Sequence, residues 1–294
     1  MRHGTYSIVA LEPATGELGA AVQSHWFSVG SLCTWARAGV GAVATQSVVE
    51  PAYGPRTLDR IQDGADAQAA LAELLEADPL GAGRQVGAVD IRGNVAVHTG
   101  ASCIPCAGHV TGAHWTCQAN MMARDTVPAA MSAAFEAAEG DLAGRLLAAL
   151  EAAEGEGGDV RGRQSAAMVI APPEGEAWQR RVDLRVEDHR DPIGELSRLL
   201  SLQRAYELAG RADELMAADD AVEAGALYRR AAELAPDSDE LLFWAGLALA
   251  HAGDLEAGVD AVRRAIAVHP GWATLLERLS PDFAPAGEQV RRAL

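Results

Sequence analysis

Residues 4 to 25 constrain this chain more tightly than any other stretch. Gly4-Thr5-Tyr6-Ser7-Ile8-Val9-Ala10 and Leu18-Gly19-Ala20-Ala21-Val22-Gln23-Ser24-His25 are strand-like runs, separated by Glu12-Pro13-Ala14-Thr15-Gly16-Glu17. Proline pre-sets a turn φ and glycine supplies a positive one, so the segment reads as a β-hairpin. With Pro13 to Gly16 as the loop, Glu12 faces Glu17, Ser7 faces Val22 and Thr5 faces Ser24. Two hydroxyls then meet at the open end of the hairpin, beside the start of the chain. Such a place is unusual for chemistry unless the terminus itself takes part.

The rest of the first two thirds alternates between sheet and helix. Thr34 to Ser47 leads through glycine punctuation into a buried strand that ends at Gln46 and Ser47. Leu58, Ile61, Ala65, Ala69, Leu71, Leu74 and Leu75 fall on helical spacing, which predicts one helix over 56–77, stopped by Asp78-Pro79. Arg84 to Asp90 and Val95 to Thr99 form a second hairpin, and Trp115 to Asn120 a further strand. Two helices follow, Val127 to Glu139 and Leu142 to Glu154, then strands over Arg163 to Ala171 and Arg181 to Val186. This order predicts sheets covered by helices, an α+β fold.

From Asp191-Pro192 onward the pattern is helix only, so the expected domains are residues 1–191 and 192–294. Pro236 and Pro270 are 34 residues apart, and at that offset Arg229-Arg230-Ala231 matches Arg263-Arg264-Ala265. That period is similar to tetratricopeptide repeats, which implies a small all-α module that engages a protein or peptide partner. Capping of the first domain or homodimer formation is the competing role, and a homo-oligomer is the expected assembly.

A formal net charge of -17 argues against nucleic acid or an anionic membrane surface as partner, because neither attracts an acidic protein. No apolar run is long enough to span a bilayer, and Met1-Arg2-His3-Gly4 enters strand residues without the apolar core of a signal peptide. The expected compartment is the cytoplasm, where Cys33, Cys103, Cys106 and Cys117 stay reduced. His98, Cys103, Cys106, His109, His114 and Cys117 form a dense stretch with one zinc-compatible C-x-x-C. A lone C-x-x-C is a weak signal, so neither metal nor cofactor is expected.

Several separated motifs carry a family likeness in order. They include Thr5-Tyr6-Ser7-Ile8-Val9-Ala10, Val22-Gln23-Ser24, Gly41-Ala42-Val43-Ala44-Thr45-Gln46, Tyr53-Gly54, Arg84-Gln85-Val86-Gly87, Ala107-Gly108-His109, Gly157-Gly158-Asp159 with Arg161-Gly162, and Gln164-Ser165-Ala166-Ala167. Residues 5 to about 200 thereby resemble the bacterial family catalogued as domain of unknown function 1028. Cys106 stands where that family usually shows an aromatic residue, and Ala119 where a glycine commonly precedes the asparagine. The family is grouped with the N-terminal-nucleophile (Ntn) hydrolases, so the resemblance implies an αββα sandwich.

In that superfamily the first residue after processing is Thr, Ser or Cys, and its own α-amine serves as base. An α-amine titrates near 8, well placed to take a hydroxyl proton at neutral pH. The resemblance thus points to Thr5 as nucleophile once residues 1–4 are lost, with Ser24 as its neighbour. Gln46, Asn120 and Gln164 are the amide candidates for an oxyanion hole, with Gln46 and Asn120 as the catalytic ones. Arg161 is expected to orient a substrate carboxylate, and His25, Tyr53, Gln164 and Ser165 complete the substrate-binding candidates. Ser24-His25 as a Ser–His pair is the weaker arrangement, since adjacent strand residues point to opposite faces. Two functions stay open: hydrolysis of an amide bond in a small substrate, or a non-catalytic scaffold that binds a small molecule or protein.

Overall fold

The structure, a computed structural model, describes residues 2–218 and 220–294. Met1, the first residue of the segment whose loss is expected to free Thr5, lies outside the described residues. The chain divides into two compact units, Met1–Ser197 and Arg198–Leu294.

The first unit opens with a short strand, β1 (Arg2–His3), followed after Gly4 by β2 (Thr5–Glu12) and β3 (Glu17–Ser24). β2 and β3 pair in the register read from the turn, with Thr5 opposite Ser24, Ser7 opposite Val22 and Glu12 opposite Glu17. A four-residue helix, α1 (Gly30–Cys33), leads into β4 (Thr34–Arg37) and β5 (Gly41–Val48). The next segment corrects the single helix expected over 56–77. It is two helices, α2 (Tyr53–Gln62) and α3 (Ala67–Glu76). Gly64 takes φ +108°, a conformation a side chain would strain, and Asp66 caps the second helix by accepting the Ala69 amide at 2.7 Å. Helical spacing of the apolar residues continues across this break, and the local Asp-Gly signal overrides it.

Then come β6 (Arg84–Asp90), β7 (Val95–Thr99), β8 (Gly108–Thr111), β9 (Trp115–Asn120), α4 (Val127–Ala137), α5 (Leu142–Gly155), β10 (Ser165–Ala171) and β11 (Val182–Val186). In one antiparallel sheet β5 pairs with β1, β4 and β6, and β6 with β7; the other runs β11-β10-β3-β2-β9-β8. The two sheets face each other. Val9, Leu11, Leu18 and Ala20 pack against Ala36, Ala42, Ala44 and Val89 between them. Helices α2 and α3 cover the outer face of the first sheet, and α4 and α5 that of the second. Alternation along β2 sends Thr5, Ser7, Val9 and Leu11 between the sheets and Tyr6 toward α5, where its hydroxyl donates to Glu154 at 2.5 Å. The layer between the sheets is therefore apolar near the Pro13–Gly16 turn and polar at the hairpin's open end.

Beside α2, Arg84 is 5% exposed and donates through Nε to Asp78 Oδ2 at 2.7 Å and through Nη1 to the Val48 carbonyl at 2.5 Å. The Arg84 hydrogen bond is the main cause that holds the Asp78 carboxyl below its ordinary value of 3.8. Asp78→Asn should cost about 3 kcal/mol, because it strands a buried guanidinium. Urea unfolding of the variant at neutral pH measures this. Since the folded-state value is the lower one, this stabilisation is present above pH 3.8 and fades as pH falls below it.

The second unit is helical. α6 (Pro192–Ala217) runs into it and is followed by α7 (Ala221–Leu234), α8 (Asp239–His251), α9 (Leu255–Val268), α10 (Gly271–Arg278) and α11 (Gly287–Ala293). The 34-residue offset reappears in the structure: α7 and α9 begin at 221 and 255 and end at 234 and 268, while α6 and α8 end at 217 and 251. Asp220 and Asp254 cap the two equivalent helices by accepting the Glu223 and Ala257 amides. Leu227, Tyr228, Leu241 and Ala245 fill one apolar cluster, and Phe243, Leu247, Val262 and Leu276 another. Among the described residues no helix is long and apolar enough to cross a membrane.

Candidate functional site

Because β1 belongs to the first sheet and β2 to the second, the chain crosses between sheets at Gly4. The Gly4 carbonyl accepts two hydrogen bonds there, from Ser24 Oγ at 2.5 Å and from Arg161 Nη2 at 2.9 Å. Thr5 Oγ1 donates to Ser24 Oγ at 3.1 Å. Thr5 and Ser24 are fully buried. The expected pair of hydroxyls thus exists, and Ser24 links the Thr5 hydroxyl to the carbonyl of the preceding peptide bond.

Asp159 holds Arg161 in place. Its carboxylate takes Arg161 Nη2 at 2.7 Å on one oxygen and Nε at 3.1 Å on the other, and accepts the backbone amides of Arg161 at 2.9 Å and His25 at 3.1 Å. A two-point contact of this kind fixes the plane of the guanidinium as well as its position. Sequence reasoning singled out Arg161 but assigned no role to Asp159. Its signal was an acid two residues before the arginine, in a glycine-rich turn.

On its other side, the Thr5 residue meets an amide network. Gln46 Nε2 donates to the Thr5 carbonyl at 3.2 Å and to Gln85 Oε1 at 2.8 Å; Asn120 Nδ2 reaches the same Gln85 oxygen at 2.9 Å and the Thr5 carbonyl at 3.5 Å. Gln85 Nε2 in turn donates to the Ala119 carbonyl at 2.9 Å and to Thr99 Oγ1 at 3.0 Å. Ser7 joins through Gln46 Oε1 and Gln118 Nε2, both at 2.6 Å. Gln46 and Asn120 therefore converge on the carbonyl of Thr5 itself. The donors on the Gly4 carbonyl are Ser24 and Arg161. Gln85, the hub, escaped notice because a polar residue in a short strand reads as solvent-facing. Gln85→Ala should cost about 3 kcal/mol, by leaving buried amides and carbonyls unpaired and opening a cavity, which denaturant titration measures.

Backbone strain collects at the same place. Ser47 and Met121, the residues after Gln46 and Asn120, take φ of 70° and 59°. Such conformations persist in non-glycine residues where surrounding contacts impose them.

The remaining candidates lie elsewhere. His25 and Gln164 line an open cavity of about 550 Å³ with Arg163, Asp188, His189 and Arg190. Gln164 Nε2 donates to Asp188 at 3.1 Å, and so does not join Gln46 and Asn120. Ser165 supports the loop after Ser24, donating to the Trp26 carbonyl and accepting the Val29 amide. Tyr53 joins Asp78 and Arg84 rather than Thr5; burial, with Asp78 beside it, pushes its phenol up. In the histidine- and cysteine-rich stretch, His98 Nε2 lies 2.8 Å from the Gly81 carbonyl and His109 Nδ1 lies 2.9 Å from Thr99 Oγ1. Burial and the nearby His98 lower the His109 imidazole, while burial raises the Cys117 thiol. Among the described residues no three metal-ligating side chains come together.

No curated protein matches the chain. A crystal structure of protein SPO2555 from Silicibacter pomeroyi, itself assigned to DUF1028, is similar to it at 34% identity and a TM-score of 0.61, over 67% of this chain and 88% of that one. The family of unknown function DUF1028 matches residues 5–196, a span that opens on Thr5 and takes in Ser24, Gln46, Asn120 and Arg161. All strands of the two facing sheets except β1, and the hydroxyl pair at their open end, fall within this span, and the chain belongs to the DUF1028 family.

Proposed function

We propose that the first unit is an Ntn-type amidohydrolase that frees its own nucleophile by cutting Gly4–Thr5. The observation that carries this reading is the hydrogen-bonded line from Thr5 Oγ1 through Ser24 Oγ to the Gly4 carbonyl, with Arg161 as second donor. The layer order of helices, two antiparallel sheets and helices also supports it, as does the place of Thr5 at the start of a central strand.

In this reading the step uses those contacts. Thr5 Oγ1 adds to the Gly4 carbonyl carbon, closing a five-membered ring through its own Cβ, Cα and N. As the bond forms, the Thr5 hydroxyl proton passes to Ser24 Oγ and the Ser24 proton to the carbonyl oxygen, which Arg161 also stabilises. Donors aimed where charge develops lower such a barrier most. Collapse restores the C=O and breaks the C–N bond, and the proton leaving the oxygen ends on the Thr5 nitrogen. The product is an ester of Gly4 on Thr5 Oγ1 and a free amine. Water then cleaves the ester, returning a proton to Oγ1 and releasing residues 1–4 as a carboxylic acid. In the shortened chain the Thr5 amine takes the hydroxyl proton for attack on a substrate amide.

Helices of the second unit are proposed to form a tetratricopeptide-like module for a protein or peptide partner. The 34-residue offset of helix ends supports this, with a groove of about 660 Å³ lined in part by Tyr206, Tyr228, Trp244 and Phe283. For the first unit, turnover of a panel of small amides by wild type and Thr5→Ala is the test. Turnover by wild type alone is expected; equal turnover by both excludes Thr5 as nucleophile. No turnover by a chain that still carries Gly4 favours the binding-scaffold reading.

A further inference from the structure

We infer that the acyl side of this site admits only an α-carbon that bears no L side chain, so that its substrates are glycyl-type amides. The inference rests on the self-cleavage reading and names the substrate class for the same site.

Gly4 occupies the acyl side in the intact chain, with its carbonyl on Ser24 and Arg161. A Cβ built on Gly4 falls 2.8 Å from Asp159 Oδ2, 2.9 Å from Asp159 Oδ1 and 3.0 Å from Arg161 Nη2. Contacts that short force something to move. A flexible side-chain end gives way cheaply, but the Asp159 carboxylate is not free in that sense. Its side chain has no exposed surface, and four N–H groups pin its two oxygens. Shifting it also shifts the guanidinium it clamps, and that guanidinium is a donor on the reacting carbonyl. A side chain at the acyl α-carbon is therefore excluded by the same pair that activates the carbonyl. Asp159 acts here as a positioning and specificity-determining residue, through Arg161.

An acyl group in trans meets the same wall when its carbonyl takes the place of the Gly4 carbonyl between Ser24 and Arg161. The substrate class is an amide whose scissile carbonyl is carried by CH2, with N-acylglycyl amides as the nearest match to the His3-Gly4 segment. Discrimination by a close-packed wall acts on the geometry of attack, where small displacements cost large factors in rate.

Two arms test this. In the first, the full chain and its Gly4→Ala variant are followed by intact mass from early purification onward. The variant is expected to convert at least tenfold more slowly to a chain beginning at Thr5, with an unchanged circular dichroism spectrum. In the second, which needs no variant, matured wild-type protein is given N-acetylglycine 4-nitroanilide and N-acetyl-L-alanine 4-nitroanilide. The glycyl compound is expected to show at least tenfold higher kcat/KM. Conversion of Gly4→Ala at the wild-type rate, or equal turnover of the two anilides, overturns the restriction while leaving the hydrolase reading standing. A wild-type chain that never converts overturns the self-cleavage reading, and the restriction with it.

Discussion

Thr5→Ala is expected to keep the residues ahead of position 5 and to lose amide hydrolysis by at least about 10³-fold, to the background of the assay. The substitution removes the one oxygen that adds to the Gly4 carbonyl and later to the substrate. It leaves the surroundings almost intact, because Gln46 and Asn120 reach the backbone carbonyl of residue 5, which alanine retains. The hydrogen bond from Oγ1 to Ser24 is lost together with the packing of a fully buried γ-methyl, a stability cost of about 2 kcal/mol. Loss of function in a folded protein is therefore the expected result, and thermal unfolding beside the activity assay checks it. Thr5→Ser keeps a hydroxyl at the same place and should still convert.

Arg161→Ala carries the second large effect, a slowing of conversion by about 10²- to 10³-fold. Among the described residues Arg161 Nη2 is one of two donors on the Gly4 carbonyl and the charged one of the pair. Removing it also leaves the fully buried Asp159 carboxylate without its ion partner, though the His25 and Arg161 backbone amides remain. A stability loss of about 3 kcal/mol accompanies the kinetic effect. Arg161→Lys separates the two. A lysine returns a positive charge to Asp159 but cannot contact both oxygens and the Gly4 carbonyl in one plane. Stability should recover more than rate, as measured by denaturant titration and an intact-mass time course.

Much of this arrangement was legible along the chain, for local reasons. The Pro13–Gly16 turn set the register, and register placed Thr5 opposite Ser24 before any packing was known. The end of β9 at Asn120 was readable because a polar side chain closes a buried run, whereas β5 continues past Gln46 to Val48 with Gln46 and Ser47 both buried inside it. What escaped depends on elements distant in sequence. Arg161 meets the Gly4 carbonyl across 157 residues, and Gln85 gathers Gln46 and Asn120 only because two sheets face each other. Periodicity alone extended one helix through Asp63 to Asp66, where a left-handed glycine and a capping aspartate divide it. β8, four residues of which two are exposed, has too little apolar alternation to be seen.

Placing the Gly4 carbonyl between Ser24 and Arg161, with the Thr5 hydroxyl next to Ser24, makes the peptide bond itself the most direct reporter. Intact-mass measurement with N-terminal sequencing, on purified full-length protein incubated at neutral pH, reads that bond without any knowledge of substrate. A chain that begins at Thr5 and has lost residues 1–4 is the predicted result. A chain that still carries Gly4 after prolonged incubation, in folded protein, contradicts it.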